Sequence, residues 1–429
     1  MKNIKVLMTS IVLGLLLTPT LALAQTGGMK LGGNTLKFDK AKFDGKVKSD
    51  FEGKVTGYQV VLIKDGKIVS EIGGGYATNA VDGNNKMTVN TPANIGSTAK
   101  FFGGTALLHE FQRTSGIGGG MDSWLSEKIY NYFPVVWKQN MHESIKQISF
   151  KDLLQHRSGF IQGDKDAKDG FFGYISKGVS SDKSQDFYYG KRNYANANIT
   201  MVGYLLPMVA NKDFLKKLNT IIIEKNLKAD DIFIQTYLGN AFEAYIEANY
   251  FNKITPAIAP SCDARNEYPK KNIVFAKSYN IWNEITPGAD YSSKVDNLSK
   301  ACHAAGGWYI TGRELAAYVA NFAATEKIVT AATRKKMFDD KKPDDRLLWS
   351  NARGDTLLKT KLNWNSSPYM GGDHGGAHGT IVMLPNGYYA VGIINSAISP
   401  VNKGDDFGNS HTLTKNIIAA FEAGIAANF

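Results

Sequence analysis

Two β-hairpin signals, placed near opposite ends of the chain, constrain its fold more than any other feature. Residues 58–63 and 67–72 are β-prone runs on either side of Asp65-Gly66, a dipeptide suited to the tight left-handed turn of a two-residue hairpin. Residues 379–384 and 388–394 repeat the pattern around Pro385-Asn386-Gly387, and residues 413–427 then read as a closing helix. Two terminal hairpins predict one antiparallel sheet assembled from both ends of the chain. Residues 120 to 300 differ, with helical patterns, polar loops and many aromatics, and they predict an inserted, mainly helical region. The expectation is an α+β architecture. A discontinuous sheet part (25–115 and 300–429), flanked by helices, surrounds an insert (116–299). No internal repeat is found. The Gly116 to Gly120 cluster lacks the Lys-Ser/Thr that completes a phosphate loop, and it reads as a turn.

The N-terminus bears on compartment. Lys2 and Lys5 precede an apolar run from Val6 to Leu17, followed by Thr18-Pro19-Thr20 and by Ala22-Leu23-Ala24 before Gln25. A positive start, a short apolar core and a small-x-small end form the layout of a secretory signal peptide, here residues 1–24 with cleavage after Ala24. The run is too short to span a bilayer, which takes roughly 20 apolar residues. No Cys follows the cleavage point to accept a lipid, so the expectation is a periplasmic or secreted protein with no stable membrane anchor. The formal charge of the whole chain is +11. Its Lys and Arg are scattered, with no dense basic run interleaved with aromatics, so the charge reads as solvated surface and nucleic acid is not expected as a partner. Cys262 and Cys302 are the only cysteines. In an oxidising compartment they pair as a disulfide or remain as two buried thiols, and the sequence leaves both open. No His is spaced to join them in a structural zinc site.

The chemistry concentrates around Thr91-Pro92-Ala93-Asn94-Ile95-Gly96-Ser97-Thr98-Ala99-Lys100. The following stretch to Phe111 has helical apolar spacing, which places Ser97 at a helix start and Lys100 on the same face one turn later. A serine hydroxyl is a weak nucleophile until a base takes its proton. A lysine can take it when burial and the positive end of a helix dipole destabilise its ammonium. Free N–H groups at the helix start can face a developing oxyanion. The tetrapeptide alone is also what an ordinary helix cap looks like, and it recurs at Ser180-Ser181-Asp182-Lys183, which has no apolar face and reads as a solvated loop. Two further segments add weight. Tyr194-Ala195-Asn196 heads an apolar segment, unlike Tyr250-Phe251-Asn252, which has no such context. His374-Gly375-Gly376 directly precedes a strand of the closing hairpin.

With these residues in order, the chain resembles the serine β-lactamase-related family, which includes class C β-lactamases, D-alanyl-D-alanine peptidases and related esterases. The family's motifs are Ser-x-x-Lys, Tyr-x-Asn and a C-terminal Lys/His-x-Gly. Leu153-Leu154-Gln155-His156-Arg157-Ser158-Gly159, Ala305-Gly306-Gly307 before a helix, and Ile393-Ile394-Asn395 match further segments, so the likeness covers roughly 50 to 425 and is weakest over 211–300. The resemblance implies a β-lactamase/transpeptidase-like fold and an acyl-enzyme serine hydrolase that needs no cofactor and no metal. It implies that Ser97 is acylated and that Lys100 and Tyr194 share proton transfer. Asn196 then contacts substrate or positions Lys100, and His374, Gly375 and Gly376 line the far wall. The N–H groups of Ser97 and Ala377 form the oxyanion hole, and His156 has a structural role at its turn.

Rival readings have less behind them. The Gly-x-Ser-x-Gly elbow of a Ser–His–Asp hydrolase is absent around Ser97. His374 and His378 are four apart, but Gly375-Gly376 follow the first where a zinc protease has Glu on a helix. A catalytically silent envelope-binding protein of the same fold is a rival from another class, and the presence of all three motifs argues against it. The expected partner is a small-molecule or peptide substrate, including one derived from the cell wall. His374 stands where class C β-lactamases carry Lys, and an unperturbed imidazole, with a pKa of about 6.5, is mostly neutral at pH 7. Gly375 brings no hydroxyl. Both features favour a neutral ester, amide or D-amino-acid peptide over a β-lactam or a free peptide C-terminus; a β-lactamase or D-alanyl-D-alanine carboxypeptidase is the alternative.

Overall fold

The structure, a computed structural model, describes residues 37–429 except 116–119, 162–170, 292–301, 339–345, 354–355 and 400–408. Residues 1–24, expected from the sequence to be a signal peptide, and most of the Gly116 to Gly120 cluster lie outside the described residues. The main sheet has six strands: β1 (Gly57–Lys64), β2 (Lys67–Gly75), β5 (Ser350–Arg353), β6 (Ser366–His374), β7 (Ala377–Met383) and β8 (Tyr388–Ile394). Their order is β2-β1-β8-β7-β6-β5 and every neighbouring pair is antiparallel. The central pairing of β1 with β8 joins the two ends of the chain, as the hairpin signals predict. β3 (Ala93–Asn94) and β4 (Tyr309–Ile310) form a separate two-stranded ladder.

Both faces of this sheet are covered. Val60 and Leu62 of β1 join Val382 and Ala390 under α1 (Lys40–Phe51) and the C-terminal helix Asn409–Ile425, against Phe43, Val47, Leu413 and Ile417. Val61 and Ile63 face the other way, with Ile381, Val391 and Ile393, onto the larger core of Phe101, Leu315, Tyr318 and Phe322. Each such side chain contributes about 1.5–3 kcal/mol when fully buried. Because β1 is apolar on both faces, side-chain alternation alone does not set its register. The Asp65-Gly66 turn sets it at the hairpin end, with φ of +48° and +76°, the conformation that matches the twist of a two-residue hairpin. A β-bulge between Leu62 and Ile63 shifts it by one residue over the rest of β1.

Between the hairpins, the larger core is built by α2 (Lys100–Ser115), α3 (Asn196–Ala210), α4 (Lys212–Glu224), α5 (Ile232–Ile246) and α6 (Gly312–Ala324). The hairpin patterns account for four strands of the main sheet, and β5 and β6 escape them. The sequence of β6, SSPYMGGDH, holds Pro, Asp and two glycines, all residues of low strand preference. Its pairing with β7 is set by the two-residue turn Gly375-Gly376, at φ +52° and +90°, a turn that glycine adopts freely, whereas its pairing with β5 comes from tertiary neighbours.

Cys262 and Cys302 form a disulfide, with Cα atoms 5.8 Å apart and a sequence separation of 40 residues. In the chain-entropy model a loop of that size contributes about 4 kcal/mol. Reducing the oxidised protein is therefore expected to lower its unfolding free energy by that order, read from denaturant midpoints with and without reductant. An unchanged midpoint after complete reduction, verified by intact mass, contradicts this.

Candidate active site

The turn that carries the nucleophile candidate is a 3-10 segment, Gly96–Ala99, running directly into α2 at Lys100. Ser97 thus sits one short turn ahead of the α-helix and is partly exposed, while Lys100, the first residue of the helix, is 1% exposed. Strand β6 crosses this turn at very close range. A Cβ added to Gly372 would lie 2.2 Å from the Thr98 nitrogen and 2.4 Å from those of Ser97 and the Ile95 carbonyl oxygen. Only a residue without a side chain permits that approach.

Four sequence-predicted residues meet in one hydrogen-bonded cluster. Lys100 Nζ lies 2.7 Å from Ser97 Oγ, 2.8 Å from Asn196 Oδ1 and 2.6 Å from the carbonyl oxygen of Ala305. Tyr194 Oη is 2.6 Å from Ser97 Oγ and 3.2 Å from Asn196 Oδ1. Burial holds the Lys100 amine well below the ordinary lysine range. The consequence is geometric as well as electrostatic. Asn196 Oδ1 and the Ala305 carbonyl can only accept, so each takes one N–H bond of the Lys100 amine. The third position points at Ser97 Oγ, where the ammonium donates and the deprotonated amine would present its lone pair. Tyr194 is 46% exposed as a residue, yet its hydroxyl is turned inward. Burial raises its pKa to about 12, against the lowering effect of the Ser97 hydrogen bond, so it is a proton donor at pH 7.

His156 fixes the Tyr194 segment. It is buried, at φ +55°, and its carbonyl accepts the Asn193 N–H at 2.8 Å. Its Nδ1 accepts from the Ala195 N–H at 3.3 Å, and its ring packs on Tyr194 with centroids 4.7 Å apart. Burial, with Lys100 and Arg192 nearby, lowers its pKa to about 3. It is a neutral prop, matching the structural role that the resemblance implies.

The third motif forms the wall. His374 ends β6 and Ala377 begins β7, facing each other across the two-residue turn Gly375-Gly376. Burial and the neighbouring Lys100 lower the His374 pKa, which leaves the ring neutral at pH 7. His378 does not join it. Its Nδ1 is 2.5 Å from Asp373 Oδ1, and Asp373 in turn accepts from the Ser410 N–H and hydroxyl at 2.8 and 2.6 Å. Asp373 and His378 are cross-strand partners, as are His374 and Ala377. The two histidines therefore lie on opposite faces of the hairpin and cannot share a metal. The duplicate motifs stay apart from the cluster: Ser181 to Lys183 are exposed, and Tyr250 is buried in the π-helical turn Glu247–Phe251.

Sequence reasoning missed the Ala305 carbonyl, because a backbone acceptor leaves no mark in residue identity. It also missed His303, two residues earlier, whose Nδ1 accepts from the Ala305 N–H at 3.3 Å. Burial, together with Lys100 and His374, lowers the pKa of His303 to about 4. The Cys262–Cys302 bridge anchors this loop at its first described residue.

This sheet, with serine, lysine and tyrosine grouped at one end of a central helix, defines a serine hydrolase of the transpeptidase-like class. A β-lactamase family model matches residues 40–409, and the chain belongs to that family of serine hydrolases. Among solved structures, the D-amino acid amidase from Ochrobactrum anthropi SV3 complexed with D-phenylalanine is 17% identical with a TM-score of 0.58, over 91% of this chain and 99% of that one. A class C β-lactamase from Rhodobacter sphaeroides is 12% identical with a TM-score of 0.57, over 90% and 99% of the two chains. The β-lactamase/D-alanine carboxypeptidase from Pseudomonas syringae is 15% identical with a TM-score of 0.57, over 88% and 98%. These likenesses reflect a common fold. No curated protein matches the chain.

Proposed function

We propose that this protein is an exported hydrolase that opens an uncharged ester or amide, including one built on a D-amino acid, through an acyl-enzyme on Ser97. The sharing of Lys100 Nζ among Ser97 Oγ, Asn196 Oδ1 and the Ala305 carbonyl carries this reading. Neutral Lys100 takes the Ser97 proton as Oγ attacks the substrate carbonyl. Tyr194, hydrogen-bonded to the same oxygen, delivers a proton to the leaving group, and the two exchange roles as water releases the acyl group. The Ser97 N–H, at the head of the 3-10 turn, and the Ala377 N–H receive the oxyanion. Asn196 holds the Lys100 amine in line. The neutral His374 supports an uncharged substrate, since it offers no fixed cation for a substrate carboxylate.

The test pairs a short-chain nitrophenyl ester with nitrocefin. The ester is expected to leave an acyl adduct on the peptide containing Ser97. Its kcat/KM is expected to exceed that for nitrocefin by about tenfold or more, the scale of one absent charge-assisted hydrogen bond. Efficient nitrocefin turnover would reassign the substrate to β-lactams. Absence of any adduct with either substrate would leave the silent binding protein as the better reading.

A further inference from the structure

Resting on the Ser97 reading, we infer that Tyr291 is a substrate-contacting residue of this cleft. Its hydroxyl donates to a second acceptor oxygen of an uncharged ester or amide, close to the scissile carbonyl.

Its position is fixed from three sides. The Tyr291 ring packs on His374, with centroids 4.5 Å apart and planes at 34°. Its N–H donates to Tyr309 Oη at 3.0 Å, and that hydroxyl donates to Asp290 Oδ1 at 3.1 Å. Its carbonyl accepts from Asn94 Nδ2 at 3.0 Å, and Asn94 Oδ1 accepts the Gly96 N–H at 2.7 Å, one residue before Ser97. The Tyr291 backbone is thus tied through the Asn94 side chain to the turn that carries the nucleophile, and its ring is held by His374. Such a mount holds a binding group more closely than a free loop does.

Its hydroxyl end occupies the space that a side chain at residue 375 would need. A Cβ built on Gly375 would lie 2.2 Å from Tyr291 Cζ and 2.4 Å from both Cε2 and Oη. The wall therefore carries a hydroxyl at this point although residue 375 is glycine, and that hydroxyl arrives from a distant segment. The ring is only partly buried, and among the described residues no hydrogen bond engages Oη. A phenol with an aromatic support and no hydrogen-bond partner among the described residues, beside the neutral His374, is equipped to donate to a ligand.

The experiment compares two nitrophenyl esters, one of N-acetylalanine, which has an acetamido oxygen near the scissile bond, and one of propionic acid, which has none. Tyr291→Phe keeps the ring and removes the donor. It is expected to raise KM for the N-acetylalanine ester about fivefold, the scale of one net hydrogen bond, with kcat and the propionate constants within about twofold. Tyr291→Ala vacates the space and is expected to lose the same selectivity. Equal changes for both esters, or no change for either, would overturn the role of Tyr291. Fluorophosphonate labelling of Ser97 in the parent separates the two readings. Normal labelling without a KM difference removes only the Tyr291 inference, whereas absent labelling removes the hydrolase reading and this inference with it.

Discussion

Ser97→Ala is expected to abolish covalent labelling by a fluorophosphonate and to lower ester turnover by roughly 10⁴-fold or more, the scale seen when a serine nucleophile is removed. The duplicate Ser-x-x-Lys motif offers no substitute, since Ser181 to Lys183 lie exposed and, among the described residues, Ser97 is the serine hydrogen-bonded to Lys100. Folding should persist. Ser97 is only partly buried, and without Oγ the Lys100 amine keeps two acceptors while Tyr194 Oη keeps Asn196 Oδ1 at 3.2 Å. Stability should therefore stay within about 1 kcal/mol of the parent, as for loss of a single hydrogen bond. Intact mass after labelling, with a denaturation curve on the same sample, reads both quantities. A variant that folds and retains turnover refutes Ser97 as nucleophile.

Lys100→Met, close in volume, is expected to slow acylation by roughly 10²–10⁴-fold, the range for losing a positioned general base. The pH dependence gives the more specific signature. Burial lowers the Lys100 pKa, so the parent's acylation rate should rise with pH and level off below 10.5, whereas the variant should lose that rise. The stability linkage has a definite sign. Between the lowered folded value and the ordinary unfolded one, the unfolded chain binds a proton that the folded chain sheds, so this group adds stability as pH rises through that window. The variant should lack this gain when unfolding free energies at pH 7 and pH 10 are compared. Its absolute stability is a poorer readout, because the Ala305 carbonyl and Asn196 Oδ1 also lose their donor. An unchanged acylation rate and an unchanged stability slope would together remove Lys100 from the mechanism.

Much of this arrangement is written in local patterns. The Asp65-Gly66 and Asn386-Gly387 turns, each between β-prone runs, announce both terminal hairpins, because left-handed turns demand those residues wherever they occur. Ser97 and Lys100 stand three apart at a helix start, and Tyr194 and Asn196 two apart ahead of an apolar helix. Such short spacings persist whatever the rest of the chain does. They were enough to nominate the groups that meet at Lys100.

Other features exist only once the chain has folded. β6 is a poor strand by composition, and its pairing with β5 and the close crossing of Gly372 over the Ser97 turn are properties of the assembled sheet. The Ala305 carbonyl reaches Lys100 from more than two hundred residues away. Tyr291 fills the space beside Gly375 from a segment where family resemblance is weakest. The sequence alone determined which local conformations and reactive side chains the chain carries, because those depend on residues a few positions apart. Tertiary structure decided how far the Lys100 amine is desolvated, which backbone atoms hold it and what lines the wall opposite, because burial and close approach depend on residues that only folding brings together.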